Sequence, residues 1–236
     1  MTHMHIPDGV LPVGLWVLGL LLMALAVAFI LVRLRGMDMA RKIPLLGAVS
    51  AVMLVAMSLE ILPLAYHINL SVVAGILLGP ALGFLAAFIT NLMLALMGHG
   101  GITVIGLNTL LLGSEAILGH TLFYLFKKRL PVFWSAAIAT VLTLIMTTLA
   151  LIGIVAASHI DPELISHGGE HGLRQGGQAS VRTFAFMVVS LGSIGWIIEA
   201  AITGAVVKFI SQVKPDLLAH ALHREKNGAR NAGNVS

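Results

Sequence analysis

The chain begins MTHMHIPDGVLP. A free peptide amine followed by one residue and then a histidine can enclose a metal ion with three nitrogens in one plane: the amine, the histidine amide and the imidazole. A fourth nitrogen from elsewhere completes a square, and square-planar nitrogen sites favour Ni(II) or Cu(II). Loss of Met1 alone leaves Thr2-His3 in that arrangement. If nothing is removed, Met1-Thr2-His3 offers an amine, two amides and an imidazole, a four-nitrogen set complete in itself. His67 is a candidate for a nitrogen donated from a distance. His3 and His5 suit a solvated loop equally well as residue types. The chain has no cysteine, which excludes disulfides, thiolate metal sites and covalent haem attachment and leaves nitrogen and oxygen as metal ligands.

The elements that must position these nitrogens are membrane helices. Of 236 residues, 58% are hydrophobic and only 10% charged, with a mean hydropathy of +0.99. A soluble domain covers itself with roughly 25% charged residues, so the reading is a polytopic all-α bundle in a membrane. Apolar runs occupy 13–32, 43–62, 102–126, 132–157 and 181–210. The stretch 68–97 is either one long helix or two short ones broken at Leu78-Gly79-Pro80. Charge parity favours the break. Arg33, Arg35, Arg41 and Lys42 follow the first span, Lys127, Lys128 and Arg129 follow 102–126, and Lys208, Lys214, Arg224, Lys226 and Arg230 lie at or beyond the last. The positive-inside rule puts all three groups in the cytoplasm, which requires 68–97 to cross twice.

About seven transmembrane segments result, with the N-terminus outside and the C-terminus cytoplasmic. Twelve Lys and Arg then lie inside, and only Arg174 and Arg182 outside. The element near 68–79 reaches only about 18 Å at the helical rise, and short or broken helices are tolerated where they line a cavity inside protein. The expected organisation is an extracytoplasmic metal-chelating segment over 1–12, a bundle over 13–214 and a cytoplasmic tail over 215–236. The N-terminus, the turn at His67, the turn Gly98-His99-Gly100-Gly101 and the loop 158–180 share the outer face.

Other residues carry weaker signals. Glu60, Glu115, His120 and Glu199 lie inside spans, where ionisable groups are expensive and lean towards function. Glu60 falls near the outer end of its helix, whereas Glu115 and His120 are expected in the inner half of theirs, away from His67. His167-Gly168-Gly169-Glu170-His171 fits HxxEH, but two adjacent glycines oppose the helix that zinc-peptidase chemistry needs. Small residues recur four apart at Ala24-Ala28, Gly47-Ala51, Gly75-Gly79 and Gly79-Gly83, a spacing that lets helices approach closely or offers a face to a transmembrane partner. No GxxxxGK[ST] loop is present. Positive residues follow the first apolar run and do not precede it, so no cleavable signal is expected.

Three ordered segments resemble the CbiM/NikM family, the substrate-binding membrane components of energy-coupling-factor transporters for cobalt and nickel. They are MHIPDGVLP at 4–12, His67-Ile68-Asn69-Leu70 followed by Gly75-Ile76-Leu77-Leu78-Gly79-Pro80, and Gly98-His99-Gly100-Gly101-Ile102-Thr103 followed by Gly106-Leu107-Asn108. The resemblance covers about residues 4–120. It implies a metal held by the amine and amide of the first two residues, the imidazole of the second, and a later imidazole: Met4, His5 and His67 here. Three residues precede Met4, so this ligand set requires a start at Met4 or removal of the prefix. His99 stands where the family usually has Asp, and Tyr66 where it has Gly. His99 is read either as approaching the metal, as supporting a ligand, or as a solvated turn residue. Asn108 either anchors the N-terminal loop or makes a helix–helix hydrogen bond.

The resemblance implies a permease component of an ATP-driven cobalt/nickel importer in a prokaryotic plasma or inner membrane. Ni2+ or Co2+ would be cargo, with no cofactor and no catalytic residue. Its partners would be a transmembrane coupling component, cytosolic ATPase subunits and a small accessory membrane protein, with no nucleic acid. The alternative from the residues alone is a self-sufficient proton-coupled transporter or channel, with Glu60, Glu115, His120 and Glu199 as its relay.

Overall fold

A computed structural model describes residues 13–35, 39–40, 42–61, 66–98, 101–158 and 181–218. Within them the chain forms α1 (Val13–Leu34), α2 (Lys42–Ser58), β1 (Glu60–Ile61), β2 (Tyr66–His67), α3 (Ser71–Leu78), α4 (Pro80–Leu96), α5 (Ile105–Phe126), α6 (Val132–Ser158) and α7 (Val181–Val213). Among the described residues, four stretches are long and apolar enough to cross a membrane: Val13–Leu34, Ile105–Phe126, Val132–Ile154 and Val188–Val213. The helices α2 and α4 have 17 residues each, the lower limit for a crossing. Leu18, Leu21, Leu25 and Phe29 of α1 are exposed, the pattern of a helix that meets lipid and not water. The protein is a multi-pass membrane protein.

The stretch 68–97 is two helices, interrupted at Gly79-Pro80. Gly79 has φ 82°, a left-handed backbone that a side chain disfavours. Pro80 opens α4, where its missing N–H is no loss and its fixed φ suits the first helical residue. Proline also ends α7. The residue before it is pushed out of the helical region, and α7 stops at Val213, ahead of Lys214-Pro215.

Two boundaries differ from the sequence reading. The run 43–62 does not stay helical: α2 ends at Ser58, whose hydroxyl turns back to Leu54 O at 2.7 Å. The chain then becomes extended, and Glu60-Ile61 pair antiparallel with Tyr66-His67 in the register Glu60↔His67 and Ile61↔Tyr66. The expected all-α fold therefore carries one two-residue β pair. The bundle also continues past 214, because Leu218 is buried and its carbonyl accepts from Tyr124 OH at 3.1 Å.

The short helix α3 is the middle of the molecule. All eight of its residues are buried, against α2, α4, α5 and α7. Val72, Val73, Ile76 and Leu77 share a core with Phe123, Tyr124, Ala136, Ala139 and Val207. On the other side Ala74 and Leu78 pack with Met53, Leu82 and Leu85. The close approach needs glycine: a Cβ on Gly75 would lie 1.9 Å from Ala116 O. Gly83 lies against Gly75 in turn, so Gly75 and Gly83 of the small-residue pattern are internal packing contacts. Below them Lys127 caps α5 with its amine 5.6 Å and 5.7 Å from the ring centres of Phe123 and Tyr124. Partial burial lowers its pKa from the ordinary lysine value.

A second seam joins α1 to α5, where a Cβ on Gly106 would lie 2.4 Å from the carbonyl carbon of Gly19. Gly106→Val is expected to pry α1 outward at the cost of overpacking, about 1–3 kcal/mol, and to lower the thermal unfolding midpoint in detergent by several degrees. Gly14→Ala, which meets nothing within 4 Å, is the silent control.

Candidate metal centre

His67 is half-buried, and its Nδ1 is shielded from solvent. Its main chain is held on one side by the pairing with Glu60. On the other side, two residues on, Asn69 is anchored in the bundle. The Asn69 Oδ1 accepts from Ser71 N at 2.9 Å and from Ser71 Oγ at 2.5 Å. An oxygen that accepts from a backbone N–H fixes the amide orientation, so Nδ2 is the end that donates to Glu115 Oε2. The Asn69 backbone N–H donates to Glu199 Oε1 at 3.0 Å, and Thr147 Oγ1 donates to Glu115 Oε1 at 3.1 Å. One asparagine thus bridges carboxylates of α5 and α7, and α6 supports the first of them. Asn69, Glu115 and Glu199 are 2%, 7% and 1% exposed, and carboxylates so buried in a membrane bundle lean towards function.

This overturns the expected separation of Glu115 from His67. Glu115 lies halfway along α5, and the Asn69 bond shows that the chain after His67 reaches that depth. The reason is the shortness of α3: the segment 66–70 enters the bundle and does not cap it from above. His120 is also tied to this element. Its Nδ1 lies 2.9 Å from Gly75 O, and since a carbonyl only accepts, Nδ1 carries a hydrogen. The His120 ring meets Tyr124 at a tilt of 55°, with ring centres 4.6 Å apart. Both residues therefore serve contacts within the chain. The sequence alone gives Asn69, Ser71 and Thr147 no role of their own. The local sign was Asn69-Leu70-Ser71 at the head of an apolar run, a helix-start pattern, but nothing local names the carboxylates.

Of the expected metal ligands, His67 lies within the described residues. Met4, His5, His3 and His99 lie outside them, as does HxxEH at 167–171. Asn108 is buried in the first turns of α5. Among the described residues no group of three or more His, Asp or Glu side chains comes together as a metal ion would need, so His67 would require donors from elsewhere.

A family model described as the cobalt uptake substrate-specific transmembrane region, CbiM, matches residues 5–217. The chain belongs to the CbiM family. The CbiM match opens at His5 and spans both halves of the bundle, including Asn69, Glu115, Thr147 and Glu199. This CbiM chain is 30% identical over 220 residues to a protein of Archaeoglobus fulgidus named as a fused nickel transport protein NikMN, covering 91% of this chain and 68% of that one. It is 25% identical over 232 residues to a protein of Methanococcus voltae named as a cobalt transport protein CbiM, covering 95% and 99%. A crystal structure titled as a transition metal transporter superposes with a TM-score of 0.73 at 21% identity, over 89% of this chain and 93% of that one, which shows a shared fold. As a CbiM protein the chain is a membrane component of cobalt or nickel transport.

Proposed function

We propose that this protein captures Ni2+ or Co2+ at the outer face of the membrane, as the metal-binding component of an ATP-driven importer. The ion exchanges its waters for nitrogens: the amine and amide at the mature N-terminus, the imidazole of His5 and the imidazole of His67. The family match over 5–217 carries the reading. Nitrogen donors are chosen because the chain has no thiolate to offer and imidazole suits nickel and cobalt. The bundle crosses about seven times, with the N-terminus outside and the Lys/Arg-rich turns in the cytoplasm.

The chain has no P-loop, so ATP hydrolysis belongs to cytosolic partner subunits that act through a transmembrane coupling component, with a small accessory membrane protein completing the assembly. The test is uptake of radioactive nickel or cobalt by cells that express the chain alone and with such partners. Accumulation is expected only with the ATPases and is expected to collapse when ATP is depleted. Uptake by the lone chain that survives ATP depletion and disappears in Glu115→Gln or Glu199→Gln would replace this reading with a self-sufficient proton-coupled transporter.

A further inference from the structure

Five hydrogen bonds converge just after His67: two into Asn69 Oδ1, one from its side-chain nitrogen, one from its backbone nitrogen, and the Thr147 bond that holds Glu115. They tie α3, α5, α6 and α7 to a single residue. Packing alone does not call for this. An apolar side chain at 69 with apolar neighbours would close the same space without burying two carboxylates, and such replacements commonly cost no stability. What hydrogen bonds add over apolar contact is direction. Asn69 lies two residues from His67, within about 7 Å of extended chain, and the pairing of Glu60 with His67 fixes the backbone on the other side. The imidazole is therefore carried on a segment clamped at both ends.

We propose that Asn69, held between Glu115 and Glu199, is a positioning residue that presents the His67 imidazole to the metal. This rests on the reading of His67 as a ligand. Supporting groups of this kind raise metal affinity by holding a ligand in its bound geometry before the ion arrives.

The test uses nickel and the full-length protein purified in detergent. Binding is read by calorimetry and ligand geometry by the visible absorption band of bound Ni(II). That band follows the arrangement of donors and does not follow how firmly the rest of the bundle folds. Glu115→Ala is expected to weaken nickel binding about 10- to 100-fold and to shift the band. Glu115→Gln keeps an acceptor for Asn69 Nδ2 and is expected to restore both. Thr147→Val removes one bond to Glu115 and is expected to cost about threefold, the worth of a modest hydrogen bond. It also carries the test if Glu115→Ala does not fold.

Native affinity and an unchanged band in Glu115→Ala and Thr147→Val, or in Thr147→Val alone where the alanine variant is lost, overturn the clamp. If His67→Ala abolishes binding in the same preparation, the ligand assignment still stands. Tight binding by His67→Ala overturns the ligand assignment and the clamp with it.

Discussion

His67→Ala is expected to weaken nickel and cobalt binding by more than about a hundredfold, beyond the upper end of what a supporting residue costs. The reason is the poverty of alternatives. No cysteine is present, and among the described residues no cluster of His, Asp or Glu can take the ion instead. A water that replaces the lost imidazole leaves a weaker field and no closed square. Titration calorimetry on the purified chain measures the loss directly. Acetylation of the mature amine should act to the same extent, because it removes another of the four nitrogens while leaving every described helix untouched. A variant without His67 that still binds nickel at native strength would move the site elsewhere in the molecule.

The largest effect on folding is expected at Gly75. A methyl group there would lie 1.9 Å from Ala116 O and 2.7 Å from the carbonyl carbon of Ala116, against main chain that no rotamer change can clear. The helices α3 and α5 must separate. Overpacking of this kind costs about 1–3 kcal/mol, or a fall of about 2–12 °C in the unfolding midpoint for a chain of this size. Gly75→Val, with two more carbons, is expected not to accumulate in the membrane. Gly47→Ala is the matched control, since nothing lies within 4 Å of its added carbon. Thermal unfolding in detergent followed by tryptophan fluorescence reads the alanine variants, and membrane yield reads the valine. A Gly75→Ala protein that melts with the native one would mean that the α3–α5 contact is not as close as described.

Much of the fold was legible in the sequence because membrane helices announce themselves by length and apolar content. The break at Gly79-Pro80 was legible as well, because a Gly-Pro pair inside an apolar run punctuates a helix. The small-residue spacing was only half informative. Gly75 and Gly83 are buried contacts, whereas Gly47 faces open space, and spacing alone does not say which face of a helix is covered. The polar centre was less legible still. Glu115 and Glu199 stood out as costly residues inside spans, yet their shared partner Asn69 lies 46 and 130 residues away, and no periodic pattern encodes a pairing at that separation. Glu115 comes close to the chain after His67 because 66–70 is not a surface turn. The short helix after it takes the chain inward instead.

The burial of α3 constrains how chain length can vary. Its eight residues are enclosed on all sides, and Gly75 O receives both the Gly79 amide and the His120 imidazole, each at 2.9 Å. One residue added or removed between Ser71 and Gly75 would turn everything upstream by about 100° around the helix axis, carrying Asn69 away from its partners or losing the fit at Ala116. Insertions and deletions, which loops ordinarily absorb, are therefore shut out of the five positions from Ser71 to Gly75.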